Sequence, residues 1–417
     1  MHDLTAAPSR IFTLDIVRGV AVMGILAMNI IAFAMPDGAY MNPAAYGGHR
    51  GADLGIWLVN FVTVDGKMRG LFSFLFGASM LLVVQSAATK GENPARVHYA
   101  RMFWLLVFGL IHMYLIWWGD ILSHYALIGS LAFLFRNKPV KALLRWGIAL
   151  LAVQMLVMTS FAFFIVTSQA AASAPGASAE AVSTWAQLSG SFGPLAPDAL
   201  AKDLALHRGS YATIVADRVR ENMFLPLGAL FQFGWETLAY MLFGMAALKS
   251  GFLTGAWEVG RYRKWAAIGY AISIPAYAAA AAVVIRSGFD PATTALAGTI
   301  APTLIRPAMI VAHAALIILV TRHGGGLTER LAATGRAAFT NYLGTSIIVS
   351  TIFYGYGLGL YGHLSRIECY GVVAGVWALM LLWSKPWLEH YRFGPLEWLW
   401  RSLARMRVQP MRKVAAA

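Results

Sequence analysis

From Met102 to Phe135 the chain runs 34 residues without a Lys or Arg. As one helix this run would extend about 50 Å against a hydrocarbon core of roughly 30 Å, so it has to fold back on itself. Trp117-Trp118-Gly119-Asp120 supplies the turn. The two halves, about 17 and 15 residues, reach only roughly 25 and 22 Å, which sets the tip of the hairpin below the headgroups. Within this apolar hairpin stand His112, Asp120 and His124. Ionisable groups at such depth are costly and are candidates for function.

Composition extends the same argument to the whole chain. Hydrophobic residues make up 59% and charged residues 12%, where soluble domains carry about a quarter charged residues. A soluble globular fold is excluded, and the apolar runs exceed the alternating segments of about ten residues found in membrane barrels. The expected fold is all-α: a polytopic membrane protein of about ten transmembrane helices plus a short interfacial or re-entrant helix. Spans are expected at Ile16–Met35, Leu71–Val84, Met102–Trp118, Ile121–Phe135, Trp146–Val166, Phe224–Leu248, Trp265–Ile285, Thr303–Thr321, Ala337–Tyr354 and Ile367–Trp383. The run 54–64 is too short to cross and is read as the interfacial element.

The formal charge of +14 sits between the spans. With ten crossings, the loops bearing Lys90/Arg96/Arg101, Arg136/Lys138/Lys141/Arg145, Arg261/Arg263/Lys264 and Arg322/Arg330/Arg336 share one side with the tail Arg392 to Lys413. The positive-inside rule makes that side, and both termini, cytoplasmic, and no nucleic-acid partner is expected. Arg10 and Arg18 ahead of a run ending Ala32-Phe33-Ala34 look like a secretory signal, but Asp15 and Arg18 crowd its apolar core, so a first span is the better reading. Residues 1–167 and 223–417 then form two membrane halves of five spans, joined by an extracytoplasmic loop at 168–222. Its first part, Ala170 to Ala181, reads as linker, and Pro197 to His207 as helix. Phe74-Leu-Phe-Gly-Ala-Ser-Met80 echoes Met241-Leu-Phe-Gly-Met-Ala-Ala247. Cys369 is the single cysteine, so no intrachain disulfide forms.

The polar residues divide between the two sides. On the outer side Asp65-Gly-Lys67-Met-Arg69 leads into a span, and Asp120 marks the hairpin turn. A carboxylate beside an imidazole orients a general base, which pairs Asp120 with His112 or His124. Asp120 also stands where a helix N-cap belongs, and Trp117 and Trp118 read as interface anchors. Asp120 and His124 have i,i+4 spacing, but without a third ligand no metal is expected. Glu236 and His313 lie in the middle of spans and suit either a protonation path or helix packing. At the cytoplasmic ends Asp15, Arg18, Arg336, Asn341, Arg392, Glu397 and Arg401 suggest a basic cleft for an anionic cofactor, since guanidinium suits phosphate.

Leu14-Asp-Ile-Val-Arg-Gly19, Met28-Asn-Ile-Ile-Ala-Phe33, Asp65 to Gly77, Gly119-Asp-Ile-Leu-Ser-His-Tyr-Ala126, Asn341-Tyr-Leu and Gly394-Pro-Leu-Glu-Trp398 together resemble the YeiB-like family of bacterial inner-membrane proteins, a domain of unknown function (family 418). The resemblance spans nearly the whole chain. It implies kinship with transmembrane acyltransferases that modify surface polysaccharides or acetylate heparan glucosamine, and hence a bacterial cytoplasmic-membrane location. Such enzymes take an acyl group from cytosolic acyl-CoA, with acetyl-CoA a typical donor, to an acceptor on the far side. Many carry a histidine near the outer part of the first helix, where this chain has Met28-Asn29; the base would then come from His112, Asp120, His124 or Asp65. Lys67 or Arg69 would stabilise the oxyanion. The expected donor is acyl-CoA, and the expected partners are membrane lipids and a small-molecule or glycan acceptor, with homo-oligomerisation left open. The competing reading is a transporter or flippase for a lipid-linked or anionic small molecule.

Overall fold

The computed structural model describes residues 11–413, so Arg10 of the signal-like N-terminus lies outside them. Helix α1 (Phe12–Ala34) is buried along most of its length. One helical turn, α2 (Gly38–Met41), follows; then α3 (Gly51–Val59) continues as a π-helical segment, Asn60–Val64, and breaks at Asp65–Gly66 before α4 (Lys67–Thr89). Asn93 caps α5 (Pro94–Ile111) by accepting from the Ala95 and Arg96 amides. A second π-helical segment, His112–Ile116, leads to the hairpin turn, and α6 (Leu122–Ala132) returns.

Helix α7 (Val140–Ser173) is long, and the Ala170–Ala181 stretch expected as linker is largely helical. It comprises the end of α7, a short connection at 174–178 and the start of α8 (Ala179–Gly190), where Ser178 accepts from the Ala181 amide. Alanine is the strongest helix former and serine a good N-cap, so helix enters the stretch from both ends and the connection itself is confined to 174–178. Two more helices, α9 (Pro197–His207) and α10 (Tyr211–Asn222), complete a cap over one end of the bundle. It is fastened to the hairpin and to the loop after the penultimate apolar stretch: Tyr211 donates to the Leu115 carbonyl at 2.8 Å, Arg218 to that of Tyr114 at 3.4 Å, and the Gly355 amide to that of His207 at 2.9 Å.

The remaining helices are α11 (Leu225–Lys249), α12 (Val259–Arg286), α13 (Pro291–Thr321), α14 (Gly326–Arg336), α15 (Ala338–Phe353), α16 (Arg366–His390) and α17 (Pro395–Ala404). Among the described residues there is no strand, only an isolated bridge between Tyr391 and Arg412. Seven helical stretches among them are long and apolar enough to cross a membrane: α1, Gly51–Thr89, Pro94–Ile116, α7, α12, Pro302–Thr321 and α16. Leu122–Phe135 and α15 are shorter apolar helices. Each apolar stretch expected from the sequence falls on a helix.

Apolar side chains gain little by leaving lipid for protein, so membrane helices associate where small residues let backbones meet. Two such crossings organise the bundle. A Cβ on Gly77 of α4 would strike the Met241 carbonyl of α11, and one on Gly244 would strike the Phe74 carbonyl. The echoed Leu-Phe-Gly segments therefore pack on one another. At the opposite crossing, Gly19 of α1 abuts the Leu331 carbonyl of α14 while Gly335 abuts that of Asp15, which brings the Leu14–Gly19 motif against Gly335-Arg336.

Candidate functional site

The α1–α14 crossing sets Asp15 and Arg18 beside Arg336. Arg18 donates to Asp15 at 3.1 Å and to Ser79 of α4 at 2.6 Å. From the C-terminal segment, α17 folds in beneath α15. Its Glu397 accepts from the Phe339 amide at 2.7 Å, the Thr340 amide at 3.1 Å and the Thr340 hydroxyl at 2.6 Å, so one helix supplies the anionic cap of another. Burial raises the Glu397 carboxyl above its ordinary value, while these donors pull it back.

These residues line one end of a cavity of about 430 Å³. Asp15, Arg18, Arg336, Arg392, Glu397 and Arg401 all contribute to its wall. Its interior is apolar and aromatic, with Phe72, Phe76, Met102, Leu105 and Phe339, and it reaches Ile121, Leu122, Tyr125 and Tyr342 at the hairpin turn. The volume lies within the range of small-molecule and cofactor sites. A second space of about 200 Å³ adjoins it through shared walls at Arg101 and Arg401, adding Lys90, Ser86 and Arg405. Arg405 holds Glu92 through two bonds of 3.2 and 2.9 Å, and those bonds keep the Glu92 carboxyl below its usual value.

Two lining residues escaped the sequence reading: His98, and Arg101, which counted only toward loop charge. Arg101 stacks 3.9 Å from the Trp400 ring centroid, and the Trp400 indole donates to its carbonyl at 2.9 Å. Their place at the start of the uncharged run, facing one helix side with Met102 and Leu105, was the available signal. Asn341 is placed elsewhere. Its amide donates to the Thr334 carbonyl and the Ser384 hydroxyl and accepts from the Trp383 indole, a buried knot tying α14, α15 and α16 together.

Behind the inner end of the cavity lies the hairpin pair. His112 Nδ1 and Asp120 Oδ1 are 2.8 Å apart, with both side chains fully buried. The other carboxylate oxygen, Oδ2, accepts from the Ser123 amide at 2.7 Å. Asp120 thus caps the returning helix and orients a histidine at once. An ionised carboxylate only accepts, so Nδ1 carries a hydrogen, and in the neutral ring Nε2 then presents its lone pair. That Nε2 is buried without a protein hydrogen-bond partner, as is the indole nitrogen of Trp117. Trp117 is no interface anchor: it is buried and stacked on Phe33 of α1 with centroids 3.8 Å apart. Tyr342 packs its ring 5.2 Å from the His112 ring, and its hydroxyl accepts from the Ile121 amide at 3.3 Å. His124 turns away and meets Thr237 of α11 at 2.9 Å.

Asp65, Lys67 and Arg69 form a different group, away from the cavity lining. Asp65 accepts from Tyr40. Lys67 is buried, donates to the Phe61 carbonyl freed by the π-helical segment, and lies 3.4 Å from the Tyr277 ring centroid. Arg69 pairs with Glu236 at 2.8 Å, and Arg306 and Tyr240 take the other carboxylate oxygen. His313 bridges the Tyr270 hydroxyl, 2.8 Å away, and the Thr63 carbonyl, to which it donates at 2.7 Å. Of the six outer-side candidates, His112 and Asp120 form a pair near the cavity, His124 bonds Thr237, Asp65 and Lys67 bond Tyr40 and the Phe61 carbonyl, and Arg69 joins a charge knot with Glu236 beyond Tyr125, whose hydroxyl donates to the Arg69 carbonyl at 3.0 Å.

Fold and site together define a polytopic helical membrane protein with a basic cavity leading toward a buried histidine–aspartate pair. The chain belongs to the YeiB-like family. It is 34% identical over 403 residues to the uncharacterized protein YeiB of Escherichia coli (strain K12), covering 94% of this chain and 95% of that one. It is 32% identical over 438 residues to the uncharacterized protein YxaH of Bacillus subtilis (strain 168), covering 98% of each. A 39.9 kDa protein from the amylase 3' region of Bacillus acidopullulyticus is 26% identical over 409 residues, 98% of each chain. Residues 247–407 match the family model described as protein of unknown function (DUF418). No solved structure matches the chain significantly.

Proposed function

We propose that this protein is a membrane-embedded acyltransferase that takes an acyl group from acyl-CoA at its basic end and delivers it to a hydroxyl or amine acceptor on the other side. The observation that carries this reading is the cavity running from Arg18, Arg336, Arg392 and Arg401 to Ile121 and Leu122, next in sequence to Asp120 of the buried histidine–aspartate pair. Its basic end suits the phosphates of the donor, and its apolar interior suits a pantetheine arm and acyl group. We place that end in the cytoplasm of a bacterial cell, with both termini there, because the Lys/Arg-rich loops gather on it.

In this mechanism His112 Nε2 takes the acceptor's proton as its oxygen or nitrogen attacks the thioester carbonyl carbon. The carbon–sulfur bond then breaks, and the sulfur leaves with the proton returned from His112. Asp120 positions the ring and stabilises the transient imidazolium. Lys67 and Arg69, committed to Phe61 and Glu236, have no part in holding the oxyanion. The acceptor is a small molecule or glycan.

The test is incubation of the purified protein with labelled acetyl-CoA, reading release of free CoA thiol and labelled product. Turnover that is lost in His112→Ala and Asp120→Asn supports the reading; absence of acyl-CoA binding at millimolar concentration sinks it. The carrier reading draws on Glu236 and His313 deep in the bundle, and predicts uptake of an anionic solute into vesicles with no CoA release.

A further inference from the structure

Tyr342 lines two separate spaces. On one side is the large basic cavity; on the other is a small gap of about 10 Å³ walled by Ile25, Asn29, Phe33, Trp117, Thr345 and Ser346. We propose that Tyr342 is the partition between two compartments, closed in this structure, and that the group receiving the acyl chain enters from the gap beyond it. The aromatic ring is the shared wall. Its hydroxyl is tied to the hairpin only through the Ile121 amide, at 3.3 Å, and a longer approach of 3.5 Å to the Gly119 carbonyl. Both are at the weak end of hydrogen-bond geometry.

The polar atoms around the ring say what enters. The Trp117 indole nitrogen only donates, and His112 Nε2, in the tautomer set by Asp120, only accepts; both are buried without partners. Leaving buried donors and acceptors unmade is costly, so a visiting group that both donates and accepts is favoured there. A hydroxyl or a neutral amine meets that requirement, and a carboxylate or quaternary ammonium does not. The gap as it stands admits about one water, so a larger acceptor requires the Tyr342 ring to move.

The opening step has a physical trigger, which rests on the donor reading above. A thioester carbonyl at the inner end of the cavity competes with the Tyr342 hydroxyl for the Ile121 N–H. Once that bond is lost, the ring keeps only the long approach to the Gly119 carbonyl and its packing, and the compartments join when the donor is in place. Tyr342 is in this sense a positioning residue that keeps water on the far side away from the thioester.

Accessibility tests the partition without any activity assay. With buried Cys369, the single cysteine, replaced by alanine, Ser79→Cys reports the cavity and Ser346→Cys the gap. A small, charged methanethiosulfonate reagent is added to vesicles from the basic side. Ser79→Cys is expected to react readily, and Ser346→Cys more slowly by about tenfold or more, as for a site reached only through rare opening. Adding Tyr342→Ala should remove that difference and leave the Ser79→Cys rate unchanged, and Tyr342→Phe, which keeps the ring but loses both hydroxyl ties, should narrow it. Equal reaction of the two cysteines with Tyr342 intact overturns the partition, and needs no tyrosine variant to fold. Protection of Ser79→Cys by acetyl-CoA tests the donor reading separately: no protection, with the Tyr342 dependence intact, removes the donor and keeps the partition.

Discussion

The molecule holds two buried polar centres, and they differ in what their unmet atoms can do. In the charge knot, both oxygens of Glu236 are taken by Arg69, Arg306 and Tyr240, none of these four residues lines the cavity, and the atom left without a partner, Arg306 Nε, only donates. In the hairpin, Asp120 is equally committed, yet its partner His112 keeps one nitrogen open, behind the wall of a cavity that reaches the basic end. Depth in the membrane alone therefore does not separate structure from chemistry. A charged group whose partners are all internal holds helices in place; one that leaves a partner's reactive atom unmet is equipped for a visitor.

The largest effect is expected at Glu236. Glu236→Ala strands two guanidinium groups inside the bundle, and the expected loss is about 3–5 kcal/mol of stability. Thermal unfolding followed by size exclusion should show a protein that yields poorly or melts much earlier. A Glu236→Ala protein with unchanged melting and abolished CoA release would place the chemistry in the knot instead.

His112 should show its effect in activity as well as in stability. His112→Ala removes the proposed base, and a loss of about 10²–10⁴-fold in acyl transfer per folded molecule is expected, with an earlier melt as well because Asp120 loses its buried partner. The measurement is initial CoA release on protein matched for monodispersity. Activity within a factor of about two of the parent would exclude His112 as the base, since general bases contribute far more than that.

Much of the fold was legible because hydrophobic length is a local property. Each apolar stretch announces a helix whatever surrounds it, and the K/R-free run from 102 to 135 forces a hairpin. The basic end was legible for a similar reason: Arg18 and Arg336 each adjoin a glycine, Gly19 and Gly335, through which the two backbones touch. Pairing between distant helices was not. Nothing local to Lys67 or Arg69 says that α11 and α13 supply Glu236 and Arg306, so these cations looked available when they were engaged. Trp117 misled likewise, because its stacking partner Phe33 lies on α1, and a tryptophan next to a turn looks the same whether it faces lipid or core. The two roles of Asp120, cap and orienter, seemed alternatives because a sequence shows one carboxylate and not its two oxygens.

A milder test addresses the scaffold that holds both centres. At the α4–α11 crossing, Gly244→Ala drives a methyl group into the Phe74 carbonyl, and the expected cost is about 1–3 kcal/mol, as for overpacking elsewhere. Since α4 carries Arg69 and α11 carries Glu236, the knot should feel the shift before the hairpin does. Melting temperature should fall while CoA release per folded molecule changes little. A variant equally stable but inactive would mean the crossing positions the cavity wall and not the knot.

The smallest effect is expected in the cap, where polar groups lie outside the spans. His207 stacks on Tyr361 with centroids 4.3 Å apart, and its Nδ1 lies 3.3 Å from Asp203 Oδ1. Burial pulls its pKa down, but Asp203, through hydrogen bonding and charge and with Asp37 adding its own charge, outweighs this and leaves the folded value raised. A base whose folded pKa is raised gives stability that is complete below its unfolded value, about 6.5, and is lost as pH rises through the folded value. The cap should therefore loosen toward alkaline pH. Hydrogen exchange at the Gly355 amide, bonded to the His207 carbonyl, should speed up from pH 6 to pH 8, on the order of the histidine range, by more than the intrinsic base-catalysed increase. In His207→Gln that excess should vanish. If it persists, the cap is held by Tyr361 and Arg208 alone, and protonation of this histidine has no bearing on how the hairpin tip is covered.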